Sequence, residues 1–218
     1  GVAWVRSQQE PDGSFPCKWV GQGYKSGETA LALLTLLKGG VEPGDPAIDR
    51  GFDWLLAQPL QRTYEVSVAI LALEARYTPD DEASLASKDP LATQIRQRFG
   101  KVAPPRDRDW LVRAVDFLVN HQDRTGLWKY PFYGDPDVSN AQFAVLALKA
   151  AVRMSCKVPK EAFLRCAEWL LANQEASGQE VAQFEVPAAD QPIQGLHDRR
   201  AREKEKKRQR ELERAQAG

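Results

Sequence analysis

The sequence predicts an all-α fold of antiparallel helical hairpins that repeat and form a partial or open ring of helices. Apolar residues recur at helical spacing in window after window, while long alternating runs are absent. Four windows share one motif centred on an aromatic residue. Two kinds of helix, one amphipathic and one apolar almost all round, take turns along the chain.

The first helix reads from Val2 to Gln9 and stops at Pro11, Asp12 and Gly13. A second runs from Ser26 to Leu37, with Ser26 as a candidate cap, Leu31, Leu34 and Leu37 on one face, and Gly39-Gly40 as its terminator. The third opens near Asp45 with Pro46 in an early position, passes Ile48, Phe52 and Leu55, and ends at Pro59. A fourth spans Tyr64 to Arg76. Residues 77–106 then break the rhythm with Pro79, Asp80, Asp81, Pro90, Gly100, Pro104 and Pro105, around a short helix from Leu91 to Phe99. Helices resume over Asp107 to His121, Asn140 to Arg153 and Pro159 to Asn173. The seven main helices read as consecutive antiparallel pairs.

The repeat is visible when four windows are aligned: GVAWVRSQQEPDGSF from Gly1, RGFDWLLAQP from Arg50, RAVDFLVNHQDRTGLW from Arg113 and RCAEWLLANQEASGQ from Arg165. The aromatics Trp4, Trp54, Phe117 and Trp169 are 50, 63 and 52 residues apart, and the long interval contains the proline-rich insertion. A unit of about 50 residues accommodates one helical hairpin with its loops. Five positions after three of these aromatics come Gln9, Gln122 and Gln174, and four later again Gly13, Gly126 and Gly178. Phe15 and Trp128 follow the first two glycines by two residues. Gln can bond backbone groups at a helix end, Gly can take the positive φ that leaves the helix, and the aromatic can return to cover it. The second copy loses this grammar at Gln58-Pro59, and the fourth has no aromatic after Gly178.

The partner helices ALALLTLL, VSVAILAL and AQFAVLALKAA, starting at Ala30, Val66 and Ala141, have little polar surface and so require burial on more than one side. The aromatic-bearing helices carry Arg, Asp, Glu and Gln on a wet face. Apolar helices inside and amphipathic ones outside is the expected arrangement.

Composition is that of an ordinary globular chain: 218 residues, 43% hydrophobic, with 30 basic and 30 acidic side chains. The balance conceals two parts. From Leu196 onward there are nine Lys/Arg against five Asp/Glu, which leaves a mildly acidic body and a basic tail. The expected division is a repeat domain over 1–195, interrupted at about 77–106, and a charged helical or disordered tail over 196–218. That tail lacks interleaved aromatics and an apolar seam, so nucleic acid is not the expected partner. Cys17, Cys156 and Cys166 have no C-x-x-C spacing and read as free thiols. No apolar stretch reaches membrane-spanning length, and the chain starts at Gly1 rather than Met, which leaves localisation open.

R-A-V-D-F-L-V-N-H-Q-D-R-T-G-L-W, Arg113 to Trp128, resembles the glutamine–tryptophan repeat of triterpene cyclases, and G-D-P-D-V-S-N-A-Q-F-A-V-L-A-L from Gly134 is similar to the start of the following inner helix in repeat proteins of that kind. The chain thus resembles the prenyltransferase and squalene-cyclase repeat superfamily over roughly residues 1–187. The resemblance implies an α/α toroid of hairpins around a cavity, of which about three and a half of six hairpins are present. It implies an open arc, a piece of a longer polypeptide, or a subunit that completes its core against another chain.

The chemistry of that superfamily is harder to find. Its acid pattern D-x-D-D is absent, Asp135 and Asp137 form only D-P-D, and the magnesium cluster D-D-x-x-D is absent too. His121 and His197 are not placed with cysteines as zinc ligands. No metal or cofactor is expected. Polar residues at the starts of the inner helices form a candidate cavity mouth: Asp137, Ser139, Asn140 and Gln142 with Tyr130, joined by Glu28 and Glu65 from the corresponding starts. Asp137 or Ser139 is equally suited to cap its helix. Three functional readings stand: an accessory repeat module that self-associates or joins a protein partner; an isoprenoid-converting enzyme with a divergent or missing active-site portion and an apolar ligand; and a glycan-processing α/α barrel, which needs two carboxylates across a groove.

Overall fold

Eight helices and one short antiparallel strand pair make up the described part of the chain, which in this computed structural model is residues 1–16, 24–78, 91–130 and 135–174. Cys17, Trp19, Asp80, Asp81, Tyr133, Gly178 and the tail from 196 lie outside the described residues. The helices are α1 (Val2–Ser7), α2 (Lys25–Lys38), α3 (Pro46–Leu56), α4 (Thr63–Tyr77), α5 (Leu91–Val102), α6 (Pro105–Asn120), α7 (Val138–Arg153) and α8 (Lys160–Ala172). Strands β1 (Trp128–Lys129) and β2 (Pro136–Asp137) pair between α6 and α7. The fold is all-α, as the periodicity predicts.

The apolar helices form its middle. In α4 eleven of fifteen residues are buried, from Thr63 to Tyr77, because α2 packs on one side of it and α7 on the other. Alanine and glycine set the closeness of such contacts: Ala30 of α2, Ala69 and Ala72 of α4, and Ala144 and Ala147 of α7 are at most 2% exposed. Helices α1 and α3 pack against α2, and α6 against α4 and α7. Gly51 of α3 admits Leu33 of α2, whose Cδ2 lies 2.5 Å from where a Cβ would stand.

Two local expectations are corrected. Helix α2 begins at Lys25 with Tyr24 as its flanking residue and no side-chain cap, so Ser26 lies inside the first turn. Its buried face is Thr29, Ala30, Leu33, Leu36 and Leu37, which leaves Leu31 44% exposed. Periodicity alone admits either stripe on a helix this apolar; contact with α4 selects one.

The same turn ends two inner helices. After α2, Gly40 N–H donates to Leu37 O and Val41 N–H to Leu36 O, with Gly40 at φ +87°. After α7, Ser155 N–H donates to Val152 O and Cys156 N–H to Ala151 O, with Ser155 at φ 67°. Both are Schellman ends, but only the first uses the residue that takes positive φ without a steric penalty.

The repeated Gln and Gly stitch successive outer helices together. Gln9 Nε2 donates to Gly13 O at 2.9 Å and to Ala47 O of α3 at 2.8 Å, while Arg50 donates to Gln9 Oε1. Gln122 repeats this with Gly126 O and Ala162 O of α8, both at 2.8 Å, and Arg165 donates to its Oε1. The glycines, at φ +93° and +94°, press against the same partner: a Cβ on Gly13 would lie 2.3 Å from Arg50 O, and one on Gly126 2.4 Å from Arg165 O. Phe15 and Trp128 then turn inward and are buried, with Trp128 Nε1 donating to Leu118 O at 2.7 Å. The aromatics that mark the repeat are less covered. Trp54, Phe117 and Trp169 are half-buried beside the core, and Trp4 is 65% exposed.

Between α3 and α6 the stitch is different. Gln58 turns back on Trp54 O of its own helix, and the position matching Ala47 and Ala162 is Trp110. Charge replaces the amide here: Arg106 of α6 pairs with Asp53 of α3, while Arg76 of α4 pairs with Asp49 of α3. Buried Asp107 accepts the Tyr77 hydroxyl at 2.7 Å and Arg106 Nε at 3.1 Å, which ties the end of α4 to the start of α6 across the insertion. Helix α5 extends to Val102, beyond the expected Phe99, and buries Ile95 and Phe99, the latter edge-on to Tyr77 at 5.0 Å.

Gly126→Ala is expected to lower stability by about 2–4 kcal/mol, since both φ and the Arg165 carbonyl oppose the methyl group, whereas Gly40→Ala, facing open space, is expected to lose only about 1 kcal/mol. Ser155→Gly is expected to gain about 0.5–1 kcal/mol. Urea unfolding of the three variants checks all of these values.

Candidate functional site

Inner-helix starts from α4 and α7 meet the segment after β1 at one cavity of about 150 Å³. The backbone brings them together simply. Trp128 and Lys129 pair antiparallel with Asp137 and Pro136, so Lys129 and Tyr130 lie alongside the start of α7. Asp137 caps that helix: its Oδ1 accepts the Asn140 N–H at 2.9 Å and the Ser139 hydroxyl. These donors hold its carboxyl below the usual aspartate range.

Asn140, Glu65 and Tyr130 line the cavity together with Tyr24, Arg62 and Tyr64. Tyr64 is set by an edge-on contact with Phe143 of α7, at 4.7 Å between ring centroids. The Arg62 guanidinium lies over the Tyr24 ring at 4.6 Å and donates to Glu65 Oε1 at 2.8 Å. Glu65 is only 5% exposed, and Gly27 of α2 leaves room for its stem. Burial raises the Glu65 carboxyl above the usual range, a tendency that Arg62 opposes without reversing. On the open side, Lys129 Nζ is held 2.9 Å from Asp123.

Asn140 differs from its neighbours. It is 1% exposed, and neither its Nδ2 nor its Oδ1 has a hydrogen-bond partner among the described residues. Its backbone is satisfied by the cap while its carboxamide is not.

The other sequence-derived mouth residues are distributed elsewhere. Ser139 is exposed, 3.2 Å from the Tyr130 hydroxyl. Gln142 is exposed on α7 and does not line this cavity. Glu28 lines a separate, more open groove of about 250 Å³ with Trp4, Val5, Gln8 and Phe15. Arg62 is the cavity residue that sequence reasoning missed; its i,i+3 spacing to Glu65 was the available signal. Gln174, at the end of the fourth motif, is exposed.

Among the described residues no cluster of three or more His, Cys, Asp or Glu is arranged to hold a metal ion, and no helix is long and apolar enough to cross a membrane. Cys156 and Cys166 are free thiols, and burial raises both above the usual thiol range.

Comparison with known proteins finds a curated relative. The chain is 30% identical over 142 residues to a squalene–hopene cyclase from Bradyrhizobium diazoefficiens, covering 63% of this chain and 20% of that protein. This chain therefore spans about a fifth of the length of the relative it matches. The similarity is partial and supports a distant superfamily relation, not a specific enzyme identity. No protein-family profile matches the chain, and no solved structure matches it significantly.

Because Glu65 binds its proton more tightly folded than unfolded, its contribution to stability is present below its unfolded pKa and is lost as pH rises through the folded value. Glu65→Gln removes that titration. Its stability relative to the unmutated protein is expected to rise from pH 4 to pH 7, measured by urea unfolding across that range.

Proposed function

We propose that this chain supplies the helical-hairpin framework of an isoprenoid-converting protein of the cyclase kind, in a form whose acid-bearing portion is divergent or lies outside these residues. The observation that carries the reading is the 142-residue similarity to squalene–hopene cyclase. The repeat junctions support it, since Gln9 and Gln122 make the same bonds to successive outer helices, which is what a ring built by repetition needs at each step. A cavity of about 150 Å³ is far smaller than a triterpene requires, so a large apolar substrate would have to be enclosed by more helices than α2, α4 and α7.

The accessory-module reading is favoured by a different observation. Trp4 on α1, and Leu164 and Leu171 on α8, are 65%, 57% and 72% exposed, which places large apolar side chains on the first and last helices among the described residues for another chain to cover.

Incubation of the full-length native protein with squalene and with prenyl diphosphates, followed by mass spectrometry of extracted products, separates the two readings. Cyclised or prenyl-transferred products are expected from the first. If soluble, folded protein converts none of these substrates and sedimentation gives a mass above that of one chain, the accessory module takes its place.

A further inference from the structure

We infer that the free side of α8 is where a second copy of this chain docks, with the two α8 helices antiparallel about a two-fold axis through Ala167. Leu164, Leu170 and Leu171 are 57%, 45% and 72% exposed, whereas Leu55 and Leu56, which hold the positions of Leu170 and Leu171 in α3, are 3% and 5% exposed. The direction of this face follows from the outer joint. Arg165 points back to Gln122, and Ala167, two residues on, stands about 200° round the helix and is exposed. Phe163, Leu164, Leu170 and Leu171 are its neighbours at helical spacing and share that side.

The stripe reads the same from either end. Apolar side chains stand three and four residues before Ala167 and three and four residues after it. Two such stripes laid antiparallel bring Leu164 of each copy against Leu170 and Leu171 of the other, the reciprocal pairing that an isologous contact requires. Alanine at the centre lets the helix axes approach closely. Lys160 and Gln174, seven residues to either side and both exposed, bound the stripe, so the ammonium of one copy can donate to the amide oxygen of the other at each end.

The residues of α8 favour a second copy over one more helix of the repeat kind. The position of Ala167 is filled by Phe52 in α3 and Val115 in α6, both buried, and the position of Leu164 is Asp49 in α3, which pairs with Arg76 of α4. In α8 the large core residue is small and the ion-pairing carboxylate is a leucine, so this face lacks both features by which α3 holds the helix that follows it. The inference rests on the accessory-module reading and names its other chain. Association that survives a charge placed in the stripe would overturn the inference and leave that reading standing, while turnover of isoprenoids by a paired chain would do the reverse.

The test is sedimentation equilibrium of the full chain at concentrations up to about 200 μM, with circular dichroism to follow folding. The unmutated chain is expected to reach the mass of two chains with a dissociation constant of about 10–100 μM, as suits a contact smaller than a standard interface. Leu171→Glu is expected to weaken the pair at least about tenfold, and Leu164→Lys takes its place should the first variant fail to fold. Ala167→Phe separates a fitted contact from mere stickiness: it makes the face more apolar yet holds the helices apart, and is expected to weaken the pair about tenfold. Trp4→Glu, on α1, is expected to leave the pair unchanged. The inference is overturned if the chain keeps the mass of one chain at about 200 μM, if Ala167→Phe pairs as tightly as the unmutated chain, or if Trp4→Glu breaks the pair while folded Leu171→Glu or Leu164→Lys does not.

Discussion

Successive outer helices in this chain meet through a glutamine amide that leaves its own helix end and satisfies a carbonyl on the next. Gln9 reaches Ala47 O, Gln122 reaches Ala162 O, and an arginine three residues beyond each carbonyl closes the bond from the other side. The glycine four residues later has to be a glycine, because its Cα rests on the carbonyl of that same arginine. Two residues beyond that glycine, Phe15 and Trp128 are buried in the core. Glutamine, arginine and glycine thus form one joint, made twice between successive outer helices.

Most of this architecture is legible in the sequence because it is repeated. One Gln-to-Gly interval could be accidental; the same interval at both Gln9 and Gln122 marks a joint on sequence grounds alone. The purely local features are harder to read. Leu31 and Leu33 are equally apolar, and only the neighbour α4 decides that Leu33 is buried. Ser155 does not resemble Gly40, yet both end an inner helix by the same turn, since serine tolerates the backbone angle at a modest cost. Spacing makes α5 a short interruption, whereas its Ile95 and Phe99 are buried in the core where the helix packs against α4 and α7.

The cavity is partly legible in the same way. Polar residues at three inner-helix starts point to a common rim, and the structure brings Glu65, Tyr130 and Asn140 to one cavity but leaves Glu28 in another groove and Gln142 in solvent. A sequence shows which residues are polar but not which of them lack a partner. Asp137 spends its carboxylate on the cap and becomes structural, while Asn140, three residues on, has its backbone satisfied and its side chain left over. That asymmetry arises from a single helix turn.

The joint between α3 and α6 has a mechanical meaning of its own. The first and last outer joints each include a glutamine amide, which dissolved ions barely affect, and the first adds an ion pair between Arg6 of α1 and Asp45 at the start of α3. The middle one depends on Arg106 of α6 with Asp53 of α3, whose carboxylate is 63% exposed, while Arg76 of α4 pairs beside it with Asp49 of α3. Exposed pairs of this kind weaken as ionic strength rises, because the screening length falls to a few ångströms in concentrated salt. Rising salt therefore weakens the α3–α6 contact, and the Arg6–Asp45 pair of the first joint, more than the amide bonds of Gln9 and Gln122, with Phe99 of α5 packed on Tyr77 beside the middle seam.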